Sequence, residues 1–190
     1  GWVNNTTAGV KIDVQGALRN IVYFINQLKT NAPPLAQIEK ISIEHKPIKT
    51  YQQFTIEKSS IEKKQLTFLS PDAAICEQCK KELFDSEDRR YKYSFINCTN
   101  CGPRFSIIKG FPYDRAKTTM ADFTMCEQCQ SEYQDPSSRR FHAQPNSCPD
   151  CGPKLKLVDQ SGSQLEVEDP IKETIKLLKQ AKIVAVKGLG

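Results

Sequence analysis

The sequence contains no long apolar run. No segment approaches the roughly 20 consecutive apolar residues that a membrane-spanning helix needs, and no charged, then apolar, then small-residue leader precedes the cysteines. These absences predict a soluble, cytoplasmic protein with no membrane partner. Cysteine is also absent outside residues 76–151. Because disulfides are rare in reducing compartments, the clustered thiols favour metal binding over a secreted disulfide scaffold.

The eight cysteines form a repeated array. Gaps of 18, 24 and 18 residues separate four Cys-x-x-Cys pairs, which gives two copies of C-x2-C-x18-C-x2-C set 50 residues apart. A repeated unit normally carries everything that one structural unit needs. The spacing is therefore typical of a duplicated zinc site. The same shift of 50 residues aligns further positions: Glu82 with Glu132, Arg89-Arg90 with Arg139-Arg140, and Gly102-Pro103 with Gly152-Pro153.

The repeat also predicts which cysteines share a metal ion. Four pairs can combine in sequential, interleaved or nested order, and the repeat favours the sequential order because each copy then holds a complete site. Since the protein fills all four positions of each ion, no position is left for water or substrate, and we predict structural zinc. The predicted ligands of two Zn²⁺ ions are Cys76, Cys79, Cys98 and Cys101 for one, and Cys126, Cys129, Cys148 and Cys151 for the other.

Local features of the array lead to three further expectations. Each Cys-x-x-Cys pair should form a hairpin that offers two sulfurs to one ion. Gly102 and Gly152 follow the last cysteine of each copy, and we expect both to adopt positive φ so that backbone N–H groups turn toward sulfur. Because eight cysteines already satisfy two ions, His142 should pack or form hydrogen bonds near the second site rather than bind metal.

The same residues allow other functions of the array. The formal charge of +5 favours nucleic-acid binding, but eight thiolates and two Zn²⁺ ions lower it to about +1. A thiol oxidoreductase normally has a single Cys-x-x-Cys motif, so four pairs fit that class poorly. The remaining alternative is a zinc-ribbon module that binds nucleic acid or a protein without catalysis. Its basic residues either contact phosphates or balance thiolate charge: Arg89, Arg90, Arg104, Arg139, Arg140 and Lys154.

The segments that flank the array have α/β patterns. Residues 1–58 predict the order β-β-α-β-β, and residues 59–70 read as a polar linker. The cysteine module follows at 71–158, and residues 165–190 predict the opening helix and strand of another domain. The predicted elements are strands at 1–3 and 10–16 around a polar turn at 4–9, a helix at 17–29, strands around Ile41–Ile43 and Phe54–Ile56, a helix from Asp169-Pro170, and a buried strand at Ile183–Val186.

The N-terminal segment resembles the second half of an acylphosphatase domain. The resemblance rests on GWVNNT at residues 1–6, then Gly9, the VQG at residues 14–16 and a helix. It implies a partial ferredoxin-like α/β sandwich, and it places on Asn5 the family's catalytic asparagine, which positions the attacking water. The family's phosphate-binding arginine, its central first strand and its first helix lie earlier, so the sequence is expected to be a fragment.

The whole sequence resembles the HypF family, the carbamoyltransferases of nickel-iron hydrogenase maturation. The resemblance rests on SPDAAIC at 70–76, RYKYSFINCTNCGPRFSI at 90–107 and RRFHAQP at 139–145. It implies an α+β chain: part of the acylphosphatase-like domain, a duplicated four-cysteine zinc-finger module and the first helix and strand of a YrdC-like nucleotide-binding domain.

The same resemblance implies the activity of the complete protein. That protein would use carbamoyl phosphate and ATP to carbamoylate the C-terminal cysteine of a HypE-like acceptor protein, which supplies the cyanide ligands of the hydrogenase. Its partners would be this acceptor and the remaining domains of the same polypeptide. The fragment alone is expected to be inactive.

Overall fold

The computed structural model describes residues 1–6, 9–36, 38–60, 70–111 and 113–188. The chain divides into two compact units, Gly1–Leu69 and Ser70–Gly190, which are described separately. Most of the predicted linker, residues 61–69, lies outside the described residues. Among the described helices, none has the length and apolar character that crossing a membrane requires.

The described residues of the first unit form a small sheet with one helix. Its strands are β1 (Trp2–Thr6), β2 (Gly9–Asp13) and β3 (Thr55–Ser60), and its helix is α1 (Leu18–Thr30). The strand order is β2-β1-β3, with β1 antiparallel to β2 and parallel to β3. The predicted helix is confirmed. Its apolar residues Ile21, Ile25 and Leu28 lie on one face and are half-buried, and no described residue of α1 is fully buried.

Two predicted strands are not formed. Residues 38–54 contain no strand, and Ile43 is exposed. Alternation there is limited to Ile41 and Ile43, and Pro47 lacks the N–H that a ladder needs. The segment Ile183–Val186 is also unpaired, and the Ile183 side chain is 100% exposed. A strand must satisfy its N–H and C=O groups on a neighbouring strand, and none of the described residues pairs with this segment.

The helix predicted from Asp169-Pro170 does form, as α4 (Pro170–Lys179). The Asp169 carboxylate caps it by accepting hydrogen bonds from the backbone N–H groups of Ile171 and Lys172, at 3.0 and 3.1 Å. Proline at the first helical position loses no hydrogen bond, because that N–H has no partner in a helix. Local capping signals are therefore sufficient to predict this element.

The second unit has little regular structure. Besides α4, its described residues form two eight-residue helices, α2 (Glu77–Phe84) and α3 (Glu127–Gln134), and short 3-10 turns at 105–107, 115–117 and 119–122. Its apolar core cluster is built largely from cysteine, with only two larger members. A core of this size leaves much of the stability to other interactions. The members of the cluster are Cys79, Tyr93, Ile96, Cys98 and Cys101.

The sequence repeat is also a structural repeat. Lys92 and His142, which are 50 residues apart, both adopt left-handed backbone conformations, with φ of 57° and 50°. Each backbone N–H donates to a carbonyl near the end of the preceding helix, Lys92 to Leu83 at 2.9 Å and His142 to Tyr133 at 3.0 Å. The two copies therefore leave their helices by the same backbone turn.

The two glycines that follow the cysteine pairs differ. Gly102 has φ of +89°, as predicted, but Gly152 is not among the positive-φ glycines, so the prediction for Gly152 is wrong. Gly152 is required for space instead. A Cβ at this position would lie 2.1 Å from the Tyr93 hydroxyl and 2.5 Å from the Ser147 Cβ. Tyr93 belongs to the first copy, so this contact joins the two copies.

We expect Gly152→Ala to lower the free energy of unfolding by about 1–3 kcal/mol, because the added methyl group forces Tyr93 away from the second copy. The thermal unfolding midpoint of the metal-loaded chain measures the effect. Gly16→Ala is the control, since a Cβ there meets no atom within 4 Å. Equal midpoints for the two variants would contradict the packing role of Gly152.

Candidate metal centre

The structure brings the eight cysteines together in two groups of four. One group contains the cysteines of the first copy and the other contains those of the second, as the sequential order predicts. Within each group all four sulfurs lie within 4.8 Å of one another. The groups are Cys76, Cys79, Cys98 and Cys101, here called the first site, and Cys126, Cys129, Cys148 and Cys151, called the second site.

The sulfur separations fit a tetrahedral metal ion. Neighbouring sulfurs are 3.8 Å apart for Cys76 and Cys98 and for Cys98 and Cys101, and 3.6 Å apart for Cys129 and Cys151. Four sulfurs at the usual zinc–thiolate distance of about 2.3 Å stand about 3.8 Å apart on the edges of a tetrahedron. A disulfide would place them at about 2.0 Å, and all eight cysteines are free.

The first Cys-x-x-Cys pair of each copy starts a helix rather than forming the predicted hairpin. Cys76 is the N-cap of α2, and its sulfur accepts from the Cys79 backbone N–H at 3.5 Å. Cys126 is the N-cap of α3. A helix N-terminus presents unpaired N–H groups and the positive end of the macrodipole, which favour a thiolate. The sequence alone does not distinguish this turn from a hairpin because both place two sulfurs close together.

The crowded thiols shift one another's pKa in opposite directions. Hydrogen bonds with Cys79 and Cys98 lower the pKa of Cys101 to about 3, whereas hydrogen bonds with Cys101 and Cys98, together with burial, raise the pKa of Cys79. In the second site, burial raises the pKa of Cys126, but hydrogen bonds with Cys129, Cys148 and Arg89 together lower the value to about 6. Four thiolates this close repel one another, so each group needs positive charge to ionise fully.

Part of that positive charge comes from arginines of the opposite copy. The Arg89 guanidinium, from the first copy, lies 3.0 Å from the Cys129 sulfur of the second site. Arg139, from the second copy, lies 3.6 Å from the Cys79 sulfur and 3.8 Å from the Cys76 sulfur of the first site. Of the two sequence-based interpretations of these arginines, balancing thiolate charge is the one that fits these contacts.

Arg89 and Arg139 are each followed in the sequence by a second arginine, and the side chains of these, Arg90 and Arg140, are buried. The Arg90 side chain donates from Nε to the Ser147 carbonyl at 2.9 Å, and Arg140 donates from Nε to the Asn97 carbonyl at 3.1 Å. Residues 97 and 147 are equivalent under the repeat, so each copy donates one arginine to the same carbonyl position in the other copy. Arg104 is also buried, and it donates to the carbonyl of Cys98 at 2.7 Å.

Each arginine pair is held by one glutamate, again across the copies. Glu132 on α3 accepts from Arg89 at 2.9 Å and from Arg90 at 3.0 Å. Glu82 on α2 accepts from Arg139 and Arg140. Burial raises the pKa of Glu132, but its bonds to Arg90 and Arg89 lower the value to about 2, so the carboxylate is charged at neutral pH.

The two glutamates are not among the site residues predicted from the sequence. The repeat aligns them with each other, which is the signal that marks them, but an alignment of copies does not say which copy a side chain contacts. Only the folded arrangement reveals that Glu82 binds the arginines that follow α3, and that Glu132 binds those that follow α2.

The other predicted positions are members of neither sulfur group. His142 stacks on Tyr133 at 5.0 Å between ring centroids and meets Phe141 edge-on at 4.4 Å, so it packs as predicted. Asn5 belongs to the first unit, where it is exposed on β1 opposite Val10. It lies in a strand rather than in the predicted turn at 4–9, because β1 continues to Thr6.

We expect Glu132→Gln to destabilise the second unit by about 2 kcal/mol, because two arginines lose their shared carboxylate. Thermal unfolding of the metal-loaded chain at pH 7 measures the change. Glu166→Gln, at an exposed position of the same unit, is the matched control. If the two variants unfold at the same temperature, the Glu132 contacts do not stabilise the fold.

Comparisons with known families agree with these two units. The family model described as "HypF finger" matches residues 75–108 and again 125–158, so each match contains one complete four-cysteine site. The acylphosphatase model matches residues 1–56. The predicted combination of an acylphosphatase-like segment with a duplicated finger module is therefore confirmed.

Relatives named as carbamoyltransferases match along the entire chain. The chain is 50% identical over 192 residues to carbamoyltransferase HypF2 of Cupriavidus necator, covering 100% of this chain and 24% of the relative. It is 50% identical to carbamoyltransferase HypF of Synechocystis and 51% identical to probable carbamoyltransferase HypF of Methanocaldococcus jannaschii, covering all of this chain and 25% of each relative. The chain thus spans about a quarter of the length of these proteins.

Solved structures give the same result. A crystal structure of full-length HypF in the phosphate- and nucleotide-bound form matches with a TM-score of 0.89 and 48% identity, covering 100% of this chain and 25% of that one. The crystal structure of T. kodakarensis HypF matches with a TM-score of 0.79 and 44% identity, covering 95% of this chain and 22% of that one.

Proposed function

The chain belongs to the HypF family of carbamoyltransferases, of whose members it spans about a quarter, and we propose that its cysteine groups hold two structural Zn²⁺ ions. The observation that carries this proposal is the pair of four-sulfur groups with separations of 3.6–3.8 Å. Zinc supplies a fixed cross-link between segments that lack a large apolar core. Four protein ligands close each site, so neither ion takes part in chemistry.

The complete protein, in this proposal, is a cytoplasmic enzyme that uses carbamoyl phosphate and ATP. It transfers the carbamoyl group to the C-terminal cysteine of a HypE-like acceptor protein, and the product supplies the cyanide ligands of nickel-iron hydrogenase. Identity near 50% over the whole chain to proteins named carbamoyltransferase supports the assignment. Residues 165–190, with α4, form the start of the YrdC-like nucleotide-binding domain.

Within that enzyme the first unit contributes Asn5 to hydrolysis of carbamoyl phosphate. The Asn5 amide positions the attacking water molecule, while an arginine outside this sequence holds the phosphate. Exposure of Asn5 on β1 is consistent with access to solvent and substrate. The zinc module joins this unit to the nucleotide-binding domain and takes no part in the reaction.

The alternative of a nucleic-acid-binding ribbon has weaker support. A phosphate contact requires an exposed cation, whereas Arg90, Arg104 and Arg140 are buried and bonded within the module. Arg89 and Arg139 face thiolates and glutamates. Of the six basic residues considered from the sequence, Lys154 is the one that stays exposed.

We expect elemental analysis of the purified chain to find two Zn²⁺ ions per molecule, and chelation to abolish cooperative unfolding of the second unit, because metal binding and folding are coupled in such modules. Circular dichroism melts before and after chelation measure the second effect. Metal-free protein with titratable, reactive thiols would instead indicate a redox function.

We expect Asn5→Ala, made in the longer protein, to lower carbamoyl phosphate hydrolysis by about 100-fold or more, since a misplaced water loses the advantage of orientation. Phosphate release measures the rate, and zinc content should stay at the wild-type value. Asn20→Ala, at an exposed amide on α1, is the control. Hydrolysis well above background by the 190-residue chain alone would contradict the need for an arginine outside it.

A further inference from the structure

We propose that the two metal sites assemble as one cooperative unit, in which Arg89 and Arg139 each hold the thiolates of the site in the opposite copy. The proposal rests on the zinc binding proposed above and goes beyond it. Sequence repetition by itself suggests two independent fingers, each with its own ligands. The contacts of the folded chain make each finger depend on the other.

One guanidinium group of each copy contacts sulfur of the other copy directly. Arg89 approaches Cys129 to 3.0 Å and Arg139 approaches Cys79 to 3.6 Å, and both contacts cross from one copy to the other. A zinc ion with four thiolates carries a net charge of about −2. Hydrogen-bond donors around the sulfurs reduce the repulsion that this charge creates and orient the ligands. Each site therefore receives part of its charge compensation from the other copy.

The neighbouring arginines, Arg90 and Arg140, are buried. The side chains of Arg90 and Arg140 are 2% and 7% exposed, and their partners lie mainly in the opposite copy. Arg140 also comes within 3.8 Å of Glu132, which binds the other arginine pair. The two arginine–glutamate clusters are therefore in contact with each other. If one copy unfolded, the other would keep charged groups without partners, which is costly.

Hydrogen bonds to backbone carbonyls of the second copy also hold a ligand segment of the first site. The side-chain amide of Asn97, next to Cys98, donates from Nδ2 to the Pro145 carbonyl at 3.0 Å. The Thr99 N–H and hydroxyl, on the other side of Cys98, both donate to the Arg139 carbonyl, at 3.0 and 2.8 Å. The loop that carries the second cysteine pair of the first site is thus positioned by the second copy.

Deleting one metal site and measuring the zinc affinity of the other tests the coupling. Cys148→Ser with Cys151→Ser, made in the whole chain, deletes two ligands of the second site and leaves the first site's ligands intact. We expect the zinc affinity of the first site to fall about tenfold or more, as for loss of a hydrogen-bond partner that orients a metal ligand. Competition with a chromogenic chelator measures the affinity. The reciprocal variant, Cys98→Ser with Cys101→Ser, should weaken the second site similarly.

Arginine variants test whether the coupling runs through the proposed contacts while all eight cysteines are kept. Arg139→Gln should speed metal release from the first site more than from the second, and Arg89→Gln should do the reverse. Two resolved ¹¹³Cd NMR signals, assigned with the cysteine variants, distinguish the sites. Lys154→Gln removes an exposed positive charge from the second copy and should change neither signal.

The outcomes separate the two proposals. If the wild-type chain binds no zinc, the proposed zinc module fails. If it binds two ions but each site keeps its affinity within about twofold when the other is deleted, the module stands and the coupling is refuted. If a cysteine variant loses both metals, the arginine variants decide. Opposite site preferences of Arg139→Gln and Arg89→Gln support the coupling, whereas equal effects of each arginine variant on both sites overturn it.

Discussion

The second unit depends on a reciprocal exchange of arginines between its two copies. Each copy offers two consecutive arginines after its cysteine helix. Both bind the glutamate on the opposite helix, and the first of them, Arg89 or Arg139, also lies against a sulfur of the opposite site. Guanidinium groups suit this role because they offer several donors in one plane and keep their charge when buried. The exchange turns two short, nearly coreless repeats into one folded module.

This arrangement explains why the module can be stable with so few apolar side chains. Burying a charge is costly unless it is paired and hydrogen-bonded, and here Arg90 and Arg140 have both a carboxylate and a backbone carbonyl. The thiolates need positive charge, and the arginines need negative charge, so the metal sites and the ion pairs satisfy each other.

The sequence predicted the parts whose signals are local or repeated. Capping by Asp169 and proline at position 170 located α4, and the shift of 50 residues grouped the cysteines correctly. Predictions failed where the outcome depends on a distant partner. The segments around Ile43 and Ile183 have strand-like composition but no neighbouring strand among the described residues. Gly152 needs space beside Tyr93 rather than a positive φ, and that contact joins residues of different copies. Likewise, nothing in a repeat says that Glu82 binds arginines of the other copy.

Stepwise addition of zinc to the metal-free chain, followed by native mass spectrometry, tests the mutual dependence of the two sites most directly. Reciprocal support predicts that at half saturation the chain is mostly metal-free or loaded with two ions, with few molecules holding one. Two equal and independent sites would instead put about half of the molecules in the one-zinc form at that point. A dominant one-zinc species would contradict the exchange as the interaction that unites the module.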